Sequence, residues 1–530
     1  MVEESYLSNS DGKIIGHLTW PLLLAAVLAC FGSSMPYGYN LAVINSPAQY
    51  IKDFYNETIQ ERYNHTISTH GLVLLYSVTV SIFAVGGMFG ALLVGLLVSK
   101  FGQKSTLVYS TLLVFLAGLL MGLSRMLRSP EMVILGRFMT GIHSGISLSV
   151  VPMYLGEIAP KNLRGFLGLI PTIFVCLGVF AAQVLGLKEV LGQEEYWPLL
   201  LSVIVLPALV ELCFLPWFPE SPRHLMIQKG DYAATVQALS WYRSKNNTNM
   251  QAEIEEMQEE QRSLSSIKAI SVWQLMADRS VRWQLVSIMV VNVGMQLSGI
   301  DAIWFYTSII FEHSGIPQPY IQYTTVGTGA IEVVAGLVGS LIIERVGRRP
   351  LLIGGFSFMG LSSAGITITL LLQVTRNTLL QVTHVPWMHY VSVACVVGII
   401  AGFCIGPAGV PFLMMAELFM QSHRPAAYIV GGSLNWLSNF TIGFVFPFLQ
   451  MSAGAYCYLV FCGICWLVSI YVYVVIPETK NKTFMEISHM FSPELPAVPE
   501  WSPNELQLKR FNGYGTLEPS SSLVESSMFF

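Results

Sequence analysis

The sequence predicts an all-α polytopic membrane protein, with twelve transmembrane helices in two six-helix halves and a cytoplasmic helical linker between them. Three observations lead there. The 530-residue chain is 53% hydrophobic and only 11% charged, with a mean hydropathy of +0.57, whereas a soluble domain carries about 25% charged residues. The apolar residues gather into twelve runs, each long enough for the roughly 20 residues that cross a bilayer core. Three motifs then recur at nearly one offset, which marks a duplicated unit.

Residues 1–19 are polar and lack the charged, apolar and small-residue regions of a cleaved signal, so they read as a cytoplasmic N-terminus. Spans 1 to 6 fall at 20–43, 71–98, 106–123, 130–156, 165–187 and 196–217, giving a first bundle over 20–218. The linker occupies 219–282. Its stretch "MQAEIEEMQEEQRSL" (250–264) is rich in Glu and Gln without Gly or Pro, and reads as a helix, either a solvated connector or a gate element. Spans 7 to 12 fall at 283–311, 322–343, 351–373, 388–414, 427–450 and 454–476, giving a second bundle over 283–476. Residues 477–530 form a cytoplasmic tail, polar and largely disordered after about 491. All eight cysteines lie in apolar runs. Cys462 and Cys465 read as small hydrophobes of one helix rather than a metal or redox pair. No cofactor is expected, and a net charge of −4 gives no reason to expect nucleic acid.

Lys and Arg set the orientation. With the N-terminus inside, 21 of the 28 fall on the cytoplasmic side and six on the outer side, with Arg137 inside a span. Both termini are therefore expected in the cytosol. The sequons at Asn56 and Asn64 then lie in the first outer loop and are candidate glycosylation sites. Those at Asn246 and Asn481 face the cytosol, and Asn439 is inside a span.

The repeat is carried by "GEIAPKNLRG" (156–165) and "AELFMQSHRPAA" (416–427), each with a Glu seven residues before an Arg. "PESPR" (219–223) echoes "PETK" (477–480), and "GLLVSKFGQK" (95–104) echoes "GSLIIERVGRR" (339–349). Two parallel six-span halves imply a major-facilitator architecture. The echoes sit at cytoplasmic helix ends, so Glu157, Arg164, Glu417 and Arg424, with Arg349, Glu220 and Glu478, are expected to form an inner latch. Spans 1, 4, 7 and 10 all contain helix breakers. These include Pro36, Gly38, Gly141, Gly145, Gly299, Gly406 and Pro407, and broken helices are tolerated where they line a cavity. In span 2, Gly86 and Gly90 read instead as close packing. An ionisable residue such as Asp301 inside a span belongs at a bundle interior or water-filled cavity.

Over about 20–490 the chain resembles the facilitative hexose (glucose) transporters of the major facilitator superfamily. The motifs that carry the resemblance are "GRFMTG", "VPMYLGEIAPKNLRG", "PESPR", "QLSGIDAIWFYT", "ERVGRR", "GPAGVPF", "AELF", "RPAA", "NWLSNF" and "PETK". "FGSSMPYGYNLAVINSP" and "GPAGVPF", with Phe412 where glucose-selective members have Trp, resemble the class II members, which carry fructose and, in one case, urate. The resemblance implies a substrate site at Gln183, Gln296, Asp301, Asn435 and Trp436, with Tyr306 at the tip of an outer gate. Thr172 stands where many relatives have a sugar-contacting Gln, and Asp301 where most have Asn. A carboxylate there suits a neutral hexose better than the urate anion.

The implied function is facilitative transport of a hexose, fructose ahead of glucose, by alternating access, with the hexose and the lipid bilayer as partners. Urate transport is the alternative. Proton-coupled relatives carry an Asp where this chain has Asn40, which favours uniport. A transporter-like sensor would need a longer tail than 491–530. An enzyme is disfavoured by the lack of a phosphate loop or metal spacing. The expected location is the plasma membrane.

Overall fold

A computed structural model of the chain describes residues 18–160, 163–243, 250–266, 270–380, 386–419, 423–480, 487 and 490–491. The N-terminal segment 1–17, most of the tail, the sequons at Asn246 and Asn481 and the side chain of Arg164 lie outside the described residues. Among those described there are helices and no strands.

Eleven helical stretches are long and apolar enough to cross a membrane. One of them, Arg424–Val475, has 52 residues, more than twice a single crossing. A turn at Gly454–Tyr456 divides it into helices Arg424–Ala453 and Cys457–Val475, with Gly454 at φ 53°. The described residues thus form twelve membrane-spanning stretches, six before the linker and six after it, as an integral membrane protein of two six-span halves requires.

The breakers divide into two kinds. Span 4 runs unbroken over Pro130–Ile158 despite Gly141, Gly145 and Pro152. A Cβ on Gly141 would come 2.1 Å from the Phe83 carbonyl oxygen, and one on Gly145 2.1 Å from that of Gly87. Gly86 and Gly90 of span 2 meet the Phe138 and Ile142 carbonyls in the same way. Glycines on both sides let two backbones touch. Gly38 of span 1 likewise packs against Val175 O of span 5, at 2.0 Å for an added Cβ. Span 1 stays helical through a π-turn at Cys30–Ser34. The expectation that all four of these spans break therefore fails for spans 1 and 4, where the glycines serve contact.

Spans 7 and 10 do break. Span 7 stops at Leu297 and restarts at Ile300, with Gly299 at φ 98°. That left-handed conformation suits glycine, and a Cβ would also meet the Phe461 ring at 2.8 Å. Cys465 of span 12 donates its Sγ–H to the freed carbonyl of Ser298 at 3.7 Å. Span 10 stops at Ile405 and restarts at Val410 across Gly406–Gly409.

The linker contains helices Tyr232–Tyr242, Met250–Ser266 and Val272–Ala277. It docks on the first half: Arg243 donates to Ile158 O at 2.8 Å and pairs with Glu253 at 3.0 Å, and the Tyr242 hydroxyl meets that of Tyr154 at 2.8 Å. It reaches the second half where Asp278 lies 3.5 Å from His423. At the opposite end of the bundle, the stretch between spans 1 and 2 holds a 16-residue helix, Ala48–Tyr63, where the sequence suggested only a loop.

Candidate functional site

The break in span 7 places Gln296 in the last turn of one segment and Asp301 in the first turn of the next. A carboxylate in the first turn of a helix faces the positive end of its dipole. Asn435 and Asn439 of span 11, one turn apart, meet both. Asn439 Nδ2 donates to Asp301 Oδ1 at 2.8 Å. With the Gln296 amide nitrogen turned to the carboxylate, the orientation its neighbours favour, it donates to Asp301 Oδ2 at 2.7 Å and Oδ1 at 3.0 Å, and its oxygen faces the Asn435 amide. All four residues are buried. A buried carboxylate without donors is very costly, and two amides supply them here. The sequence noticed Asn439 only as a sequon. Its spacing of four from Asn435 was the signal that it shares the same face.

Trp436, next to Asn435, lies buried across the junction of the halves. Its ring meets those of Tyr37 and Phe83 edge-on at 6.0 Å each, and Gly87 leaves room for it, since a Cβ there would sit 2.4 Å from the indole. This forms an aromatic wall beside the amide–carboxylate cluster.

Toward the end opposite the linker, Tyr306 interrupts its helix at φ −134°, ψ 21°. Its hydroxyl donates to Gly443 O at 2.6 Å, and its ring packs on Tyr76 of span 2 and Phe446 of span 11, with centroids at 6.3 and 5.4 Å. Nearby, the Ser308 N–H donates to Asn45 Oδ1 at 3.0 Å, linking the two halves. At this end the contacts of Tyr306 and Ser308 join the two halves.

The remaining expected residues share no hydrogen bond with the cluster. Gln183 of span 5 presses its amide oxygen toward Gly329 of span 8 and finds no hydrogen-bond donor. Thr172 is half-buried on span 5. Neither shares a hydrogen bond with Asp301, Gln296, Asn435 or Asn439. Unanticipated polar contacts include buried Glu332 of span 8, which accepts from Trp304 Nε1 at 3.2 Å, and buried Glu211 of span 6, which accepts from Ser33 Oγ at 2.8 Å.

At the linker end the duplicated motifs build two matching corners. Glu220 accepts from the backbone N–H groups of Lys104 (2.8 Å) and Ser105 (3.1 Å), at the start of helix Gln103–Leu123. Glu478 accepts from those of Arg348 and Arg349, both at 3.0 Å, at the start of helix Arg348–Leu380. These are the unpaired donors of a helix N-terminus. Gly102 and Gly347, at φ 91° and 104°, precede the two helices. Burial pushes the Glu478 carboxyl up, but the backbone N–H groups of Arg348, Lys480 and Arg349 outweigh it and hold the pKa below the usual glutamate range. The second pair of acids follows the same plan: Glu157 accepts from Ser221, and Glu417 accepts from Thr479 at 2.5 Å and pairs with Arg348 at 2.9 Å.

Two expectations are corrected here. Arg348, not Arg349, meets Glu417, while Arg349 donates to Tyr473 O at 2.5 Å and stacks over its ring. Among the described residues, Glu220 and Glu478 accept from backbone N–H groups at helix starts rather than from arginine side chains. Arg424 donates to Phe419 O at 3.0 Å. Among the described residues, Glu157 thus finds its partner at the start of the linker, Glu417 and Arg424 find theirs within the second half and its tail, and none of the three pairs across the halves.

The profile of the family described as "Sugar (and other) transporter" matches residues 25–491. The chain belongs to this sugar transporter family. Among curated relatives, it is similar to human solute carrier family 2, facilitated glucose transporter member 9, at 48% identity over 90% of this chain and 86% of that one. It is also similar to facilitated glucose transporter member 5 of Bos taurus, at 45% identity over 94% and 97%. Among solved structures, the proton:xylose symporter XylE bound to 6-bromo-6-deoxy-D-glucose aligns with a TM-score of 0.71 at 19% identity, over 90% of this chain and all of that one. A partially occluded, inward-open form of XylE from E. coli aligns with a TM-score of 0.70. At that identity the likeness concerns the fold, which this transporter shares.

Proposed function

We propose that this sugar transporter is a facilitative hexose carrier, fructose ahead of glucose, working by alternating access in the plasma membrane with both termini cytosolic. One observation carries the reading: a buried set of neutral amides around a single carboxylate, beside an aromatic wall, at the break of span 7. A sugar offers hydroxyls to such a set and an apolar face to Trp436, and needs no counter-charge. Gln183 and Thr172 are peripheral members of the site. On this reading the end opposite the linker is the outer face, and the closed Tyr306 gate marks the state that delivers inward. The inner clusters of Glu157, Arg164, Glu417 and Arg424, with Arg348 and Arg349 and the corners held by Glu220 and Glu478, come together when the outer gate opens. Asn64 is exposed at the end of the outer helix, whereas Asn56 is half-buried on it, so Asn64 is the main glycosylation site. Loss of the glycan in Asn64→Gln would be read as a mass shift.

The test is uptake of labelled fructose by proteoliposomes, with glucose and urate as competitors and equal pH on both sides. Saturable uptake blocked by unlabelled hexose and indifferent to urate supports the proposal. Uptake of urate alone, or no fructose uptake, overturns it.

A further inference from the structure

Arg137 lies about two turns into span 4 and is completely buried. A cation at such a depth is costly unless it is paired. It makes no ion pair among the described residues. Its Nη1 donates to the backbone carbonyl of Asn40 at 2.8 Å, and its guanidinium lies over the Phe83 ring at 4.7 Å. Its Nε and Nη2 have no hydrogen-bond partner. These two nitrogens form one edge of the guanidinium fork, whose N–H bonds run parallel and suit a single shared acceptor.

Among the described residues the surroundings supply no anion. The phenols of Tyr55, Tyr76 and Tyr306 lie within electrostatic range, but all three hydroxyls are engaged elsewhere, with Thr79, Ile44 O and Gly443 O. Asn40 of span 1, whose backbone carbonyl Arg137 reaches, has a neutral side chain: its amide nitrogen donates to Pro36 O at 2.8 Å, and its Oδ1 has no hydrogen-bond donor. Tyr76 and Tyr306 also line a cavity of about 170 Å³ together with Lys52 and His313.

We propose that the free edge of Arg137 is a binding site for a small inorganic monovalent anion, with chloride as its probe, which completes the charge of the first half behind the outer gate. The anion is a resident partner of the fold, not the transported substrate, and the idea stands or falls independently of which sugar is carried.

The experiment uses the purified full chain in detergent and measures Tm in sodium chloride against sodium gluconate at equal ionic strength. A ligand that binds the native state raises Tm saturably. The expected result is a higher, saturable Tm in chloride, reproduced by bromide. Asn40→Asp, which sets a carboxylate beside the guanidinium, should remove the dependence and give in gluconate the Tm that the unaltered chain has in chloride. Arg137→Gln should also remove it. Equal Tm of the unaltered chain in the two salts overturns the proposal without reference to any variant. So does a chloride effect that persists undiminished in both variants, since it would arise elsewhere.

Discussion

The two halves share a plan and differ in how they use their glycines. Both start their third helix at a left-handed glycine and hold that start with a glutamate, Gly102 with Glu220 and Gly347 with Glu478. In the first half, Gly38 of span 1 and Gly141 and Gly145 of span 4 lie against backbone carbonyls of neighbouring spans, and the helices run on. In the second half, spans 7 and 10 break at Gly299 and at Gly406–Gly409, and the polar cluster assembles at the first of these breaks. Duplication thus preserved the scaffold at the linker end, while the site arose where the copies diverged. The first half presents a tightly packed wall to a second half that holds the hydrogen-bonding groups.

The largest expected effect tests the wall. Gly38→Ala drives a Cβ to 2.0 Å from a backbone carbonyl that cannot step aside. Overpacking of this kind costs about 1–3 kcal/mol or more, and folded yield and Tm in detergent should fall sharply. Gly409→Ala, at a glycine of the second half with nothing within 4 Å of its Cβ, should leave both near the parent values. Equal losses would erase the distinction between the halves.

Next is the hinge itself. Gly299→Ala forces a side chain into a left-handed backbone, at a cost of about 1–3 kcal/mol, and pushes against Phe461. Fructose uptake should fall much further than folded yield, because the strain lies where the site is assembled. A smaller effect is expected at Asn439→Ala, which leaves the buried carboxylate one donor short, worth about 1–3 kcal/mol. The KM for fructose should rise several-fold, with a small drop in Tm beside it.

The smallest effect tests what the halves share. Glu220→Gln and Glu478→Gln each remove a negative charge from a helix start, worth about 0.3–1 kcal/mol, and should lower Tm by similar small amounts. Because the folded-state pKa of Glu478 is depressed, its contribution is present above the ordinary glutamate range and fades as pH falls through that range and below it. Glu478→Gln should flatten this acid limb of the stability profile, which a Tm series against pH would show.

The twelve spans, the matching corners at the linker end and the grouping of Gln296, Asp301 and Asn435 beside Trp436 were legible in the sequence because hydropathy, repeated motifs and family resemblance all survive in one dimension. Which glycines break a helix was not. Gly141 and Gly299 look alike in a sequence, and only the neighbouring span decides whether the missing Cβ serves contact or a turn. The same holds for Arg348 and Arg349, adjacent residues on a helix start that point to different partners. Asn439 was hidden by its sequon pattern, and the unpaired edge of Arg137 depends on three other helices.

The central claim is that the carboxylate at the break of span 7 binds the sugar. Its most direct test is the concentration dependence of labelled-fructose uptake by proteoliposomes holding Asp301→Ala, beside the unaltered chain at matched protein content. The account predicts a KM raised about tenfold or more, equivalent to about 1.4 kcal/mol, in a protein that still folds. An unchanged KM with reduced folded yield would contradict it and make Asp301 a structural acid.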